Sequence, residues 1–147
     1  MDNVNNILFG LTGNYKGYGV NHEKERFLGV MKISCSLENV GIGFNFTATG
    51  ENGEIFHNEI ALIGKGMGGK LKLVAGSNNT NMLLEYFLAE SDEKNLVFQF
   101  GDTANVNEFR ERRVFTFHSE KEIVYSFWWG LPSGDFQERS SVTMKKL

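Results

Sequence analysis

Cysteine is almost absent from this chain. Cys35 stands alone, which excludes an internal disulfide and any metal site built from several thiolates. Proline is equally scarce, and Pro132 interrupts the chain at a single point. No run approaches the roughly 18 apolar residues with which a helix crosses a bilayer. The opening residues, MDNVNNILFG, lack the charged start and long apolar core of a secretory signal. Nor is there a strong charge of either sign. The 15 basic and 18 acidic residues leave a net charge of −3, which argues against nucleic acid or a membrane as partner. The expectation is a soluble, cytoplasmic protein.

Glycine and phenylalanine are abundant instead, at 17 and 13 residues. The 147 residues fit one domain spanning 1–147, long enough to bury about two thirds of the unfolded surface. A content of 41% hydrophobic and 13% aromatic residues lies far from the composition of disorder. Gly and Asn clusters recur at short intervals, and between them lie stretches rich in Phe, Val, Ile, Thr and Tyr. These predict ten strands over residues 11–20, 27–37, 41–49, 54–63, 70–75, 81–89, 96–101, 107–118, 122–129 and 136–146. Every separator is too short for a crossover helix, so neighbouring strands should be antiparallel. Ten strands in up-and-down order hide their two edges most simply by closing on themselves. The predicted fold class is therefore all-β, a ten-stranded antiparallel up-and-down β-barrel. A two-sheet sandwich is the alternative, but its Greek-key topology needs a long return connection. The one helical candidate is a short turn over residues 2–9, placed where it could plug a barrel mouth.

Alternation indicates which faces are buried. In the third strand Val40, Ile42, Phe44, Phe46 and Ala48 share one side, opposite Gly41, Gly43, Asn45, Thr47 and Thr49. The following Gly50-Glu51-Asn52-Gly53 contains the Asn-Gly hairpin signal. A two-residue loop would place His57 and Glu59 on the face of Phe46 and Phe44. A three-residue loop with Gly53 as a bulge would place Phe56, Ile60 and Leu62 there. The second register buries more apolar surface and is the expectation, with His57 on the surface.

The eighth and ninth strands read NEFRERRVFTFH and EIVYSFWW. A short loop around residues 119–120 would pair Val114 with Tyr125, Arg112 with Phe127 and Arg110 with Trp129. One face then carries Arg110, Arg112, Val114, Thr116, Ile123, Tyr125, Phe127 and Trp129. The opposite face carries Phe109, Glu111, Arg113, Phe115, Phe117, Glu122, Val124, Ser126 and Trp128. Neither face is purely apolar, so charge must enter the barrel or sit at its rim. An interior arginine needs a carboxylate or an anionic ligand beside it. In the last strand Phe136, Glu138, Ser140, Val142 and Met144 form the more apolar face, which makes Glu138 a candidate partner. Two readings stand side by side. In one, an arginine holds an anionic head group while Tyr125, Phe127 and Trp129 enclose its apolar body. In the other, the charges form a cross-strand ladder on the outer face.

Other motifs carry less. Gly64-Lys65-Gly66-Met67-Gly68-Gly69-Lys70 is glycine-rich, but the alternating Lys70-Leu71-Lys72-Leu73 follows it where a phosphate loop would open a helix. His22, His57 and His118 share no metal-ligand spacing, so no metal site is expected. Cys35 alternates with Met31 and Ile33 and reads as a small buried apolar residue.

The first strand contains Gly13-Asn14-Tyr15-Lys16-Gly17-Tyr18-Gly19, a Gly-x-Tyr-x-Gly-x-Gly pattern. This resembles the Gly-x-Trp opening of the calycin barrels, the lipocalins and fatty-acid-binding proteins. It is most similar to the Gly-x-Trp-x-Gly-x-Gly start of nitrobindin-like and bacterial lipocalin-like ten-stranded barrels. The resemblance implies that Tyr15 seals one end of the barrel. It also implies an internal cavity for a small hydrophobic or amphipathic molecule, and a homodimer as the assembly such barrels often adopt. Residues 21–26 have no room for the helix pair of fatty-acid-binding proteins. The last strand lacks the histidine through which nitrobindin-like proteins hold haem iron, so no haem and no other cofactor is expected.

The sequence thus points to non-catalytic binding of a small hydrophobic or amphipathic, and in one reading anionic, ligand inside the barrel. Its site residues would be Arg110, Arg112, Tyr125, Phe127, Trp129, Glu138, Phe44 and Phe46. Two other classes compete. A small barrel enzyme of the isomerase, cyclase or decarboxylase type would use Tyr125, Glu138 and an arginine. A solidly packed interaction module would expose Met67, Trp128 and Trp129 at one end.

Overall fold

The computed structural model of the chain describes Leu8 and residues 10–147, apart from the side chain at position 35. The helical turn over residues 2–9, Leu8 excepted, and the expected burial of Cys35 therefore lie outside the described residues. Ten strands follow in order: β1 (Gly13–Val20), β2 (Arg26–Leu37), β3 (Gly41–Gly50), β4 (Ile55–Lys65), β5 (Leu71–Ser77), β6 (Leu83–Ser91), β7 (Asn95–Phe100), β8 (Arg110–Ser119), β9 (Glu122–Gly130) and β10 (Gln137–Lys146). Each pairs antiparallel with its successor, and β1 pairs with β10 to close the barrel. No strand keeps an open edge, as the short connections required.

Closure depends on a close approach of β1 to β10. The register runs from Tyr15 opposite Lys146 to Val20 opposite Ser141. A Cβ on Gly17 would fall 1.8 Å from the Thr143 carbonyl oxygen, and one on Gly19 would fall 2.4 Å from that of Ser141. Only glycine lets the two backbones meet at this seam.

The interior divides into two halves. At one end Leu8, Leu11, Tyr15, Phe117, Ile123 and Met144 are fully buried and fill the barrel. The Tyr15 hydroxyl donates to the Glu120 carbonyl at 2.6 Å, tying β1 to the turn between β8 and β9. At the other end gather the five connections that follow the odd-numbered strands, and this end is open.

Three registers differ from the sequence expectation, each because a bulge moves the pairing by one residue and flips the side chains beyond it. The β3–β4 loop does place Gly53 at positive φ (84°), and Gly50 N–H donates to the Glu54 carbonyl. A second irregularity then leaves Phe56 unpaired, so Ala48 faces His57 and Phe46 faces Glu59. His57, Glu59, Ala61 and Ile63 point inward, while Ile60 and Leu62 stand about 60% exposed. Between β8 and β9, Ser119 pairs with Glu122 and His118 bulges out. Phe115 therefore faces Tyr125, Arg113 faces Phe127, Arg112 faces Trp128 and Arg110 faces Gly130. The inner face joins Glu111, Arg113, Phe115 and Phe117 to Ile123, Tyr125 and Phe127, not Arg110 and Arg112. In β10 an irregularity at Arg139 separates Glu138, opposite Trp128, from Ser140, opposite Phe127. Ser140, Val142 and Met144 line the interior side, but Glu138 is exposed.

Gly17→Ala should force the seam apart. An overpacked backbone contact of this kind lowers stability by about 1–3 kcal/mol, read as a drop in Tm of roughly 3–10 °C by calorimetry. An unchanged Tm would show that β1 and β10 are not held so close.

Candidate functional site

The open end leads into a cavity of about 590 Å³. Its wall is largely aromatic, with Phe27 from β2, Phe46 from β3, Phe56 from β4, and Phe127 and Trp129 from β9. These are inward positions of the alternation, or mouth positions where a strand begins or ends. The connecting segments place Glu23, Glu25 and Glu54 on the rim, and Arg139 of β10 also lines it. Asn21 stiffens the first rim loop by accepting from the backbone N–H groups of Glu23 (3.0 Å) and Glu25 (2.9 Å).

Below the aromatic ring lies a buried polar cluster centred on Arg113, which is 2% exposed. Its Nε donates to Glu111 Oε1, and its Nη1 is ion-paired with Glu59. Nη1 also donates to the Tyr125 hydroxyl at 3.0 Å, and Nη2 donates to the Tyr86 hydroxyl at 3.1 Å. Tyr125 passes the chain on by donating to Glu59 Oε1 at 2.6 Å. The guanidinium carbon lies 4.8 Å from the Phe127 ring centroid and 5.0 Å from that of Tyr86. A buried arginine costs several kcal/mol unless paired, and four strands converge here to pair it.

His57 lies beside this cluster, and its tautomer follows from its neighbours. Asn79 Nδ2 donates to the Phe56 carbonyl at 3.2 Å and lies 2.7 Å from His57 Nδ1. A carbonyl can only accept, so the amide nitrogen faces this side and His57 Nδ1 accepts. The ring proton is then on Nε2, 3.5 Å from Glu59 Oε2. Burial and the nearby Arg113 charge hold the His57 pKa down to about 3, so the ring is neutral.

Glu111 is displaced in the other direction. Burial pushes its carboxyl up to about 7, partly offset by the hydrogen bond with Tyr86. Burial also raises the phenols of Tyr86 and Tyr125 well above their usual range; Arg113 pulls against this at Tyr125, while Glu111 adds to it at both. The arrangement can thus present a carboxyl to the cavity that exchanges its proton near neutral pH. Formally, two carboxyl groups oppose one guanidinium.

The residues expected from sequence fall into three groups. Phe46, Phe127 and Trp129 line the cavity, and Phe44 and Tyr125 are buried just below it, with ring centroids 6.1 Å apart. Arg110 is buried but serves the loop between β9 and β10, donating to the carbonyls of Glu108 (3.2 Å), Leu131 (2.8 Å) and Gly134 (2.6 Å). Arg112 lies on the outer face, donating to Gln99 Oε1 at 2.9 Å. Glu138 pairs with neither arginine. The sequence reading missed His57, Glu59, Tyr86, Glu111 and Arg113 as a group. The available signal was opposite charge: bulges in both hairpins bring one arginine and two glutamates to the same level, where the guanidinium pairs with both carboxyl groups.

Replacing Arg113 with Met leaves two buried carboxyl groups without their cation. Urea unfolding should report a loss of about 3–5 kcal/mol, and Arg113→Met combined with Glu59→Gln should recover part of it. Recovery of nothing would mean that the ion pair is not what holds Glu59 inside.

Stability should also carry a pH signature. Glu111 binds its proton more tightly folded than unfolded, so its contribution is complete below about pH 4.5 and lost as pH rises through 7. His57 acts oppositely: its contribution is present above about pH 6.5 and lost as pH falls towards 3. The two oppose one another between pH 4.5 and 6.5. Glu111→Gln isolates one arm, and its stability relative to the unsubstituted protein should rise by roughly 2–3 kcal/mol between pH 5 and pH 8. A constant difference across that range would remove the burial-driven displacement.

No protein-family model matches the sequence, and no curated protein matches it. Among solved structures the chain is similar to Rv2717c from M. tuberculosis, at TM-score 0.73 and 13% identity over 97% of this chain and 96% of that one. It is also similar to a redesigned β-barrel, mFAP0, bound to DFHBI, at TM-score 0.53 and 9% identity over 93% and 99% of the two chains. At these identities the likeness is one of fold alone, and the fold of this chain is a ten-stranded antiparallel β-barrel.

Proposed function

We propose that this barrel is a lipocalin-like, calycin-type carrier that binds one small hydrophobic or amphipathic molecule inside its open half without transforming it. The observation that carries this reading is the aromatic-walled cavity of about 590 Å³. That volume suits a small-molecule site. Phe46, Phe127 and Trp129 would grip the ligand body, with Phe44 and Tyr125 supporting them from below. The ligand-bound state of mFAP0 supports the idea that a barrel of this kind can hold an organic molecule.

A second reading has its own observation. The Glu111 carboxyl sits at the cavity with a pKa near 7, the range suited to a general acid or base. An enzyme of the isomerase or cyclase type would place its acid–base group there and not at Glu138, which is exposed.

Native mass spectrometry of the purified protein, followed by denaturation, tests the carrier reading directly. One small molecule per chain should be released, or the empty protein should take up one Nile red molecule saturably. Ala48→Phe, which fills the cavity wall, should abolish either signal while leaving the far-UV circular dichroism unchanged. Failure of both forms of occupancy would refute the carrier. A bound molecule that changes mass during incubation, in a manner abolished by Glu111→Gln, would favour the enzyme.

A further inference from the structure

We propose that the cavity selects an organic cation, an ammonium or amidinium head on an apolar body, with the head seated at Glu111. This rests on the ligand-binding reading and adds the chemical class of the ligand.

The first support is that Arg113, the arginine buried at the floor of the cavity, has little left to offer an anion. Arg113 directs Nε to Glu111, Nη1 to Glu59 and Tyr125, and Nη2 to Tyr86. A guanidinium has five N–H donors, and four of them are thereby engaged. Arg139 donates from Nε to the Trp129 carbonyl at 3.1 Å and from Nη2 to the Asp135 carbonyl at 2.8 Å. A carboxylate reaching Arg113 would have to displace its bonds and settle beside Glu111 and Glu59. Arg113 is, in effect, already occupied by the protein's own carboxylates.

The second support is the sign of the lining. Glu23, Glu25, Glu54 and Glu111 line the cavity against Arg113 and Arg139. A concave surface with this excess attracts cations and repels anions on approach.

The third support is the wall itself, which already holds cations against aromatic rings. The Arg113 guanidinium carbon lies 4.8 Å from the Phe127 centroid, and that of Arg139 lies 4.4 Å from the nearest Trp129 ring. Among the described residues no cation lies over Phe27, Phe46 or Phe56, and all three line the cavity, Phe46 stacked on Phe127. Rings around a carboxylate form a recurrent way to bind ammonium groups. Seating a cation at Glu111 also solves a charge problem. Above about pH 7 Glu111 is ionised, and the cluster of two carboxylates and one guanidinium holds one negative charge in excess, which the head neutralises.

A matched series separates the possibilities: 4-phenylbutylamine, 4-phenyl-1-butanol and 4-phenylbutyrate share one body and differ in head charge. Titration calorimetry at pH 8 and low salt should rank amine above alcohol by about tenfold and alcohol above carboxylate, on the scale of a partly desolvated charge pair. Glu111→Gln should weaken the amine about tenfold and leave the alcohol unchanged. Glu25→Gln with Glu54→Gln, at the exposed rim, should weaken the amine and reduce its salt sensitivity without touching the core. If Glu111→Gln does not fold, the amine-to-alcohol ratio and the rim variant decide. Equal affinities for amine and alcohol, or a preference for the carboxylate, would overturn cation selectivity while the carrier stands. Binding of none of the three, with no uptake of Nile red, would overturn both.

Discussion

A guanidinium inside a β-barrel dictates what must surround it. Arg113 is almost wholly removed from water, and its charge is tolerable only because Glu59, Glu111, Tyr86 and Tyr125 reach it from β4, β8, β6 and β9. A one-residue slip in any of these strands would turn a member of the set outward and leave the rest unpaired. Registers that apolar alternation would leave open are thereby fixed by a polar cluster. The same cluster divides the interior. On one side lies ordinary apolar packing around Phe115, Phe117 and Met144; on the other, polar groups are in place and the space is left unfilled.

The rim is built to keep its shape. Arg110 clamps three carbonyls, two of them in the segment between β9 and β10, and a side chain at Gly130 would strike its guanidinium. Asn21 caps the loop between β1 and β2, and Arg139, raised by its bulge, lies across Trp129. Arg110, one of the two arginines that sequence reasoning offered as a ligand anchor, instead holds the loop that frames the opening. Preformed openings reduce the ordering that binding would otherwise require.

How much of this was legible in the chain follows from what each signal measures. Turn residues and β-rich stretches identify strands, and short separators force antiparallel neighbours, so the ten-stranded closed barrel could be read from the sequence. The interior of β3 could be read as well, because Ile42, Phe44, Phe46 and Ala48 alternate cleanly. The polar floor could not. Phe56, His118 and Arg139 each sit at an irregularity that no residue type announces, and each reverses the faces beyond it. Counting apolar surface favoured Ile60 and Leu62 inside, because that count has no term for Glu59 meeting an arginine two hairpins away. Charge complementarity across strands distant in sequence decided the β4 register, and it becomes visible only once the barrel is closed.

The sealed end has a consequence for traffic. With Tyr15 hydrogen-bonded to the Glu120 carbonyl and Leu8 and Leu11 packed beside it, the described residues close one end of the barrel, and the cavity opens at the other. Whatever goes in must come out by the way it entered. An incoming molecule cannot push a resident one through the far side, so replacement must wait for departure. Residence time is then governed by the depth of the seat and the width of the opening, and raising the concentration of a competitor cannot shorten it.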